Sequence, residues 1–181
     1  MGLIMRVAHD VGELCELFNA TFANERTVLQ GGAAEPEYVP WNGDEPARVI
    51  FTRDYFASAL HEIAHWCIAG HARRQQRDYG YWYAPDGRTP EQQAAFAQVE
   101  AKPQGLEWAF HLAARHPFHV SCDNLDGDPG DTQAFAEAVV AAAQKWYERG
   151  YPPRAQRFID ALAQRYGGAV TAASFSLAAV S

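Results

Sequence analysis

The chain has 181 residues, of which 48% are hydrophobic and 20% are charged, a composition typical of a globular domain with a substantial core. Its 22 acidic and 15 basic side chains give a net charge of −7, which argues against general nucleic-acid binding, because such binding needs a basic surface that replaces phosphate counterions. No stretch approaches transmembrane length and three widely spaced cysteines suggest no disulfide framework, so we expect a cytoplasmic protein with reduced thiols.

The sequence before the central motif predicts one helix and one short strand. Apolar residues between Val11 and Phe22 recur at helical spacing, and Asp10 is placed to cap that helix. Residues 31–46 are rich in Gly, Pro and acidic side chains, and this composition predicts a loop. Residues 48–52 have the length and the β-branched content of a short strand.

The central motif is HExxH, on a helix that we expect to be capped by Asp54 and to run to about Gln75. Residues four apart on a helix lie on the same face, so His61 and His65 can direct two imidazoles at one point. The neighbouring residues are mainly apolar, which predicts a buried helix. Two core histidines held by hydrogen bonds are the non-functional alternative, but a buried pair beside Glu62 favours a metal site.

Four aromatic residues and a Pro-Asp-Gly turn follow within residues 79–88. This segment predicts either a hairpin that covers the core or an aromatic wall beside the metal, and the sequence leaves both open. The aromatic residues are Tyr79, Tyr81, Trp82 and Tyr83.

A helix start is predicted at Thr89, because Thr89 and Gln92 can form a capping box and Pro90 occupies the first helical position. We expect this helix to be interrupted at Lys102, since a proline disfavours helical geometry at the residue before it. A second helical run then begins at Pro103.

The C-terminal part predicts two more helices, one ending at Arg149 and an amphipathic one ending at Gly167, preceded by an extended segment near Val120. We expect a single domain over residues 1–168 and a C-terminal tail over residues 169–181. The predicted class is α+β, dominated by helices, with a few short strands and the HExxH helix at its centre.

Two histidines leave a metal site incomplete, and we predict Glu100 as the third ligand. Glu100 lies on an otherwise apolar helix face, where an unpaired carboxylate is costly to bury. A surface glutamate or a salt-bridge partner is the alternative reading, and Glu107 and Glu91 are the fallback ligands. His71 occupies the third-histidine position of a metzincin-like pattern, but Ile68 stands where that pattern needs glycine.

Two chemistries fit a site of two histidines and one carboxylate. With Fe(II), the three ligands leave open positions for O₂ and substrate. With zinc, they leave one water, and Glu62 becomes the general base of a peptidase. A third alternative is a non-enzymatic module whose histidines hold a structural metal. Neither spacing nor composition chooses among these.

Four blocks of the sequence form a more specific combination than HExxH alone: residues 61–70, 79–83, 99–104 and 121–124. In these blocks the chain resembles the bacterial elongation factor P hydroxylase family, and the similarity runs from about Arg6 to Gly167. The resemblance implies a cytoplasmic enzyme that hydroxylates a lysine of elongation factor P, usually one that already carries a β-lysyl group. It also implies a metal held by two histidines and one carboxylate, roles that match His61, His65 and Glu100.

The chemistry that follows from this resemblance is a hypothesis: Fe(II) with O₂ as cosubstrate, acting on a lysine side-chain carbon. The 2-oxoglutarate oxygenase pattern is absent, so 2-oxoglutarate is not predicted as a cosubstrate. Glu62 would accept a bond from a ligand histidine or orient water.

The expected substrate contacts are an aromatic wall for the lysine stem and an acid for its ammonium. For the acid we select Asp123, with Asp126 as a second choice, although turn capping explains either residue equally well. The aromatic contacts are Tyr79, Trp82 and Tyr83.

Overall fold

A computed structural model describes residues 7–78, 89–121 and 129–180. Within these ranges the chain forms a three-stranded sheet and five α-helices, which confirms the helix-dominated α+β class. The strands are β1 (Thr27–Ala33), β2 (Glu37–Val39) and β3 (Ala47–Thr52), and the helices are α1 (Val11–Thr21), α2 (Phe56–Ile68), α3 (Pro90–Ala114), α4 (Pro129–Arg149) and α5 (Pro153–Tyr166).

Strand β3 is the centre of the sheet, parallel to β1 and antiparallel to β2. It is buried, with Val49 3% and Phe51 0% exposed, because it has a strand on each side and packs against α2. The loop predicted over residues 31–46 is wrong in part, since β1 extends to Ala33 and β2 lies within that range. Pairing with the distant β3 decides these two strands, and their own composition gives little sign of it.

An aromatic cluster holds α2 against α1 and α5. The Trp66 ring centroid lies 4.8 Å from that of Phe22 and 5.3 Å from that of Phe18, and Phe158 contacts both phenylalanines. These rings are all buried. The face of α2 opposite His61 and His65 is therefore fixed by core packing.

The two ends of α2 differ from the prediction. Tyr55, not Asp54, is the N-cap residue, and it makes no side-chain capping bond. The helix ends at Ile68 and does not continue to Gln75, because the Arg154 guanidinium takes up its last carbonyls. Arg154 donates to the carbonyl oxygens of Trp66 at 2.8 Å and Ala69 at 2.7 Å. A guanidinium from α5 thus satisfies groups that a further helical turn would have used.

Helix α3 is continuous, so the break predicted at Lys102 and Pro103 is wrong. Its start is as predicted, with the Thr89–Gln92 capping box in place. Pro103 lacks the N–H that would bond the carbonyl oxygen of Val99, and Val99, at 51% exposure, lies on the solvent side of the helix. Burial of α3 between α2, α4 and α5 outweighs the local penalty.

The residues after Gly168 contribute to the core. The Gly168 N–H donates to the carbonyl oxygen of Ala113 at 3.1 Å, and Phe175 is 2% exposed with its ring 5.1 Å from that of Trp108. The predicted division between residues 168 and 169 is not tested and stays a prediction. In the described part of the chain there is no strand near Val120.

None of the helices in the described ranges combines the length and the apolar character that crossing a membrane requires.

Candidate metal centre

Helices α2 and α3 bring His61, His65 and Glu100 together. The Nε2 atoms of the two histidines are 3.1 Å apart. One Glu100 carboxylate oxygen lies 3.6 Å from His61 Nε2, and the other lies 3.4 Å from His65 Nε2. The side chain of Glu100 is 7% exposed, and those of the histidines are 25% and 22% exposed. The site therefore has a buried floor on α3 and a partly open side on α2.

This triad fits a divalent metal ion. Donor atoms spaced by 3.1–3.6 Å can all contact one ion at about 2.0–2.2 Å, the bond length of imidazole nitrogen and carboxylate oxygen to zinc. Among the described residues, no fourth donor joins the three. Three ligands do not fill a four- or six-coordinate shell, and this is the composition of catalytic sites. That these residues bind a metal stays a prediction.

Glu107 contacts the far side of the His61 ring. Its Oε2 atom lies 2.8 Å from His61 Nδ1, and its Oε1 atom lies 3.1 Å from His111 Nε2. An ionised carboxylate only accepts, so both ring nitrogens that face Glu107 carry the proton. When the His61 ring is neutral, as metal binding requires, its Nε2 atom then has the lone pair, directed at Glu100 and His65. Glu107, a fallback ligand in the sequence, thus contacts His61 from outside the triad, and its support of a ligand histidine is a prediction.

His111 is the next member of this chain of contacts. It is 2% exposed, and its Nδ1 atom lies 2.9 Å from the Pro117 carbonyl oxygen and 3.0 Å from His116 Nδ1. The residues after α3 therefore hold His111, which in turn holds Glu107.

Glu100 and Glu107 both belong to a stripe of polar residues along one face of α3. Glu100, Gln104, Glu107 and His111 are spaced by four, three and four residues, so they share one helix face, and all are buried. Gln104 bonds both the N–H and the carbonyl of Ser121. This spacing is visible in the sequence, but it has meaning only on an unbroken helix. The break expected at Pro103 concealed it.

Electrostatics couple His61 to its carboxylates. Burial alone would lower the pKa of His61, but Glu107, Glu62 and Glu100 outweigh it and raise the pKa to about 10. Burial would raise the pKa of Glu107, but His61 and His111 lower it to about 2. Glu107 is therefore ionised and its neighbour His61 is cationic when no metal is present.

The pKa values of the other two carboxylates, Glu100 and Glu62, are shifted in opposite directions. Burial would raise the pKa of Glu100, but its hydrogen bond to His65 and the charges of both histidines lower it. Burial raises the pKa of Glu62, and the two histidines offset this only in part. Among the described residues, Glu62 makes no hydrogen bond with His61 or His65. In the described residues Glu107, not Glu62, is the carboxylate partner of His61 Nδ1, and the alternative role of Glu62, orienting water, stays a prediction.

A pocket opens beside the triad, between α2 and the sheet. Glu62, His65 and Trp66 line it from α2, and Tyr38 and Val49 line it from β2 and β3. Because His65 belongs to both the triad and the pocket wall, a side chain that enters the pocket reaches the edge of the candidate metal centre.

The remaining predicted site residues are not part of the triad. Glu91 and His71 are exposed. The predicted substrate contacts lie outside the described residues and stay predictions: Tyr79, Trp82, Tyr83 and Asp123, with Tyr81 and Asp126.

Comparison with known proteins agrees with the geometry. The family described as elongation factor P hydroxylase matches residues 17–175. The chain is also 46% identical over 160 residues to a protein of Haemophilus influenzae named elongation factor P lysine hydroxylase, and the match covers 87% of this chain and 90% of that protein. A match of this extent includes α2, α3 and the triad between them.

Proposed function

The chain belongs to the elongation factor P hydroxylase family, and we propose that it hydroxylates a lysine side chain of elongation factor P, one that carries a β-lysyl group. The observation that carries this proposal is the His61–His65–Glu100 triad, together with the name of the Haemophilus influenzae relative. In this proposal the enzyme acts in the cytoplasm on a protein partner, without direct contact to nucleic acid or membrane.

We assign the metal ligands as His61 Nε2, His65 Nε2 and one oxygen of Glu100. A divalent metal, which we propose to be Fe(II), supplies the ability to activate O₂ when bound there. One oxygen atom enters a C–H bond of the lysine and the other leaves as water, with two electrons from a reductant and two protons from the reductant or the solvent. 2-Oxoglutarate is not proposed as that reductant.

The protein groups around the triad have separate tasks in this proposal. Glu107 keeps the proton of His61 on Nδ1, so that Nε2 stays free to bind the metal. Glu100 supplies the anionic ligand from a buried position, where little water competes for it. Glu62 lies beside the triad on the pocket side and is the candidate for direct contact with the substrate.

The test is mass spectrometry of elongation factor P after incubation with the iron-loaded protein, O₂ and a reductant. We expect one added oxygen on the modified lysine, and its loss in His61→Ala and in Glu100→Ala. Retention of the oxygen in either variant contradicts the ligand assignment. Peptide cleavage by zinc-loaded protein that disappears in Glu62→Gln, with no oxygen gain, would instead identify a metallopeptidase.

A further inference from the structure

The pocket between α2 and the sheet, here called the α2 pocket, has one acid without a partner. Glu62, His65, Trp66 and Ala69 form its α2 wall, and their spacing of three, one and three residues places them on one helix face. Among the described residues, Glu62 has neither a hydrogen bond nor an ion pair to a lysine or arginine. A carboxylate at a pocket wall beside a metal centre is available to a ligand.

The other charges of the α2 pocket are already paired. The two other acids of the pocket each have an arginine partner, so they have little affinity left for another cation. Glu62 has no such partner among the described residues. The ion pairs are Glu37 with Arg77, Asp78 with Arg73, and Arg74 with Glu25.

The remaining walls of the α2 pocket suit an alkyl chain. Val49 and Trp66 are 3% and 4% exposed, so they present fixed apolar surface and do not rearrange easily. Tyr38 is fixed as well, because its hydroxyl donates to the Arg74 carbonyl oxygen at 2.9 Å. Such walls favour a flexible methylene stem with an aromatic contact to its cationic end.

The charge balance around the triad also favours a cationic ligand at Glu62. With neutral histidines, a dication at the triad is surrounded by the carboxylates of Glu62, Glu100 and Glu107, which leaves one negative charge. Glu100 and Glu107 are committed to the histidines. The uncompensated charge therefore falls on Glu62, at the pocket wall.

We propose that the α2 pocket binds a primary alkylammonium group, with Glu62 as its ion-pair partner and Tyr38, Val49 and Trp66 around its stem. This proposal rests on the proposed function, because the ligand is then the modified lysine of that reaction, whose free primary ammonium groups belong to its β-lysyl group. It assigns substrate contact to Glu62, and it places the ammonium next to His65 at the edge of the metal centre.

The test uses two small probes of equal length, n-butylamine and n-butanol, which differ only in the charged group. The zinc-loaded full chain, which cannot carry out redox chemistry, is titrated with each probe at pH 7, and binding is followed by saturation-transfer NMR. We expect the wild type to bind the amine at least tenfold more tightly than the alcohol. In Glu62→Gln we expect this preference to disappear, with the zinc content and the melting temperature unchanged.

The matched control is Glu16→Gln, the same substitution on the exposed face of α1, which should keep the preference. The proposal is overturned if wild type shows no preference for the amine, or if Glu62→Gln keeps it. Failure of the proposed function gives a different result, because the amine preference would persist while elongation factor P gains no oxygen.

Discussion

Glu107 Oε2 lies 2.8 Å from His61 Nδ1, so a carboxylate on α3 sets the proton position of an imidazole on α2. The two residues are 46 positions apart in the chain, and each is held by further contacts on its own helix. His111 binds the second oxygen of Glu107 at 3.1 Å. We therefore expect these contacts to hold the His61 ring in one orientation before a metal binds.

Replacing Glu107 by Gln should weaken metal binding about 10- to 100-fold, the usual effect of losing a carboxylate that supports a ligand histidine. An amide can accept from only one of the two ring N–H groups and presents its own N–H to the other, so either His61 or His111 loses its partner. Metal affinity is measured by competition with a chelator.

Glu91→Gln is the control for that measurement, since Glu91 is exposed on the first turn of the same helix. Equal affinities of Glu107→Gln and Glu91→Gln would show that Glu107 does not support His61. Complete loss of the metal in Glu107→Gln, with no residual binding, would instead indicate that Glu107 is itself a ligand.

Metal binding should release a proton from His61 at neutral pH. The carboxylates around His61 raise its pKa to about 10, so at pH 7 the metal-free imidazole is cationic and must lose a proton before it can bind. Because the free form is protonated below that pKa, metal affinity should rise about tenfold per pH unit between pH 7 and 9. Calorimetry in buffers of different ionisation enthalpy measures the proton release directly.

No proton release at pH 7, or an affinity that is flat over this range, would contradict histidine ligation at position 61. Below pH 7 the affinity should fall further. The comparison is made with Glu91→Gln, whose pH profile should match that of the wild type.

Removing the metal should abolish activity and leave the fold intact. The triad connects α2 and α3, but these helices also bury Leu60, Ile63 and Leu106 at 0% exposure, and this core does not depend on the ion. We expect the helical circular dichroism at 25 °C to be unchanged after chelation, with only the mass-action decrease in melting temperature. Unfolding at 25 °C would support the structural-metal alternative.

The sequence was sufficient to predict features that depend only on residues close together in the chain. HExxH places His61 and His65 on one face, and the Thr89 capping box marks the start of α3. Glu100 could be selected as well, because a carboxylate on an apolar helix face needs a partner. These inferences use residues within about one or two helical turns of each other.

Contacts between residues far apart in the chain determine two features that the sequence did not predict: the continuity of α3 and the end of α2. Pro103 predicts a break, yet packing on three other helices keeps α3 continuous, so the alignment of Glu100 with Glu107 emerges only in the fold. The end of α2 is likewise set by Arg154, which is 88 residues from Trp66 in the chain. The spacing on α3 was concealed by the break expected at Pro103, and no local pattern predicts the contact of Arg154 with the end of α2.

Gly105→Ala should destabilise the protein by about 1–3 kcal/mol, the usual cost of overpacking a well-packed contact. A Cβ atom at Gly105 would lie 2.7 Å from the backbone nitrogen of Ala143, where α3 meets α4. This contact supports the helix that carries Glu100, so metal affinity should fall as well. Denaturant unfolding measures the free energy.

Gly70→Ala is the matched control, because nothing lies within 4 Å of a Cβ atom at that position. Its free energy of unfolding should stay within about 0.5 kcal/mol of the wild type, as for most surface substitutions. Equal stability of Gly105→Ala and the wild type would show that α3 and α4 can separate without cost.

The most direct test of the metal centre is anomalous diffraction at the iron edge from crystals loaded with Fe(II) under exclusion of O₂. We predict a single ion at about 2.0–2.2 Å from His61 Nε2, His65 Nε2 and a Glu100 oxygen, with coordination positions left for exogenous ligands. An ion bound elsewhere, or one whose shell is completed by protein side chains, would contradict it.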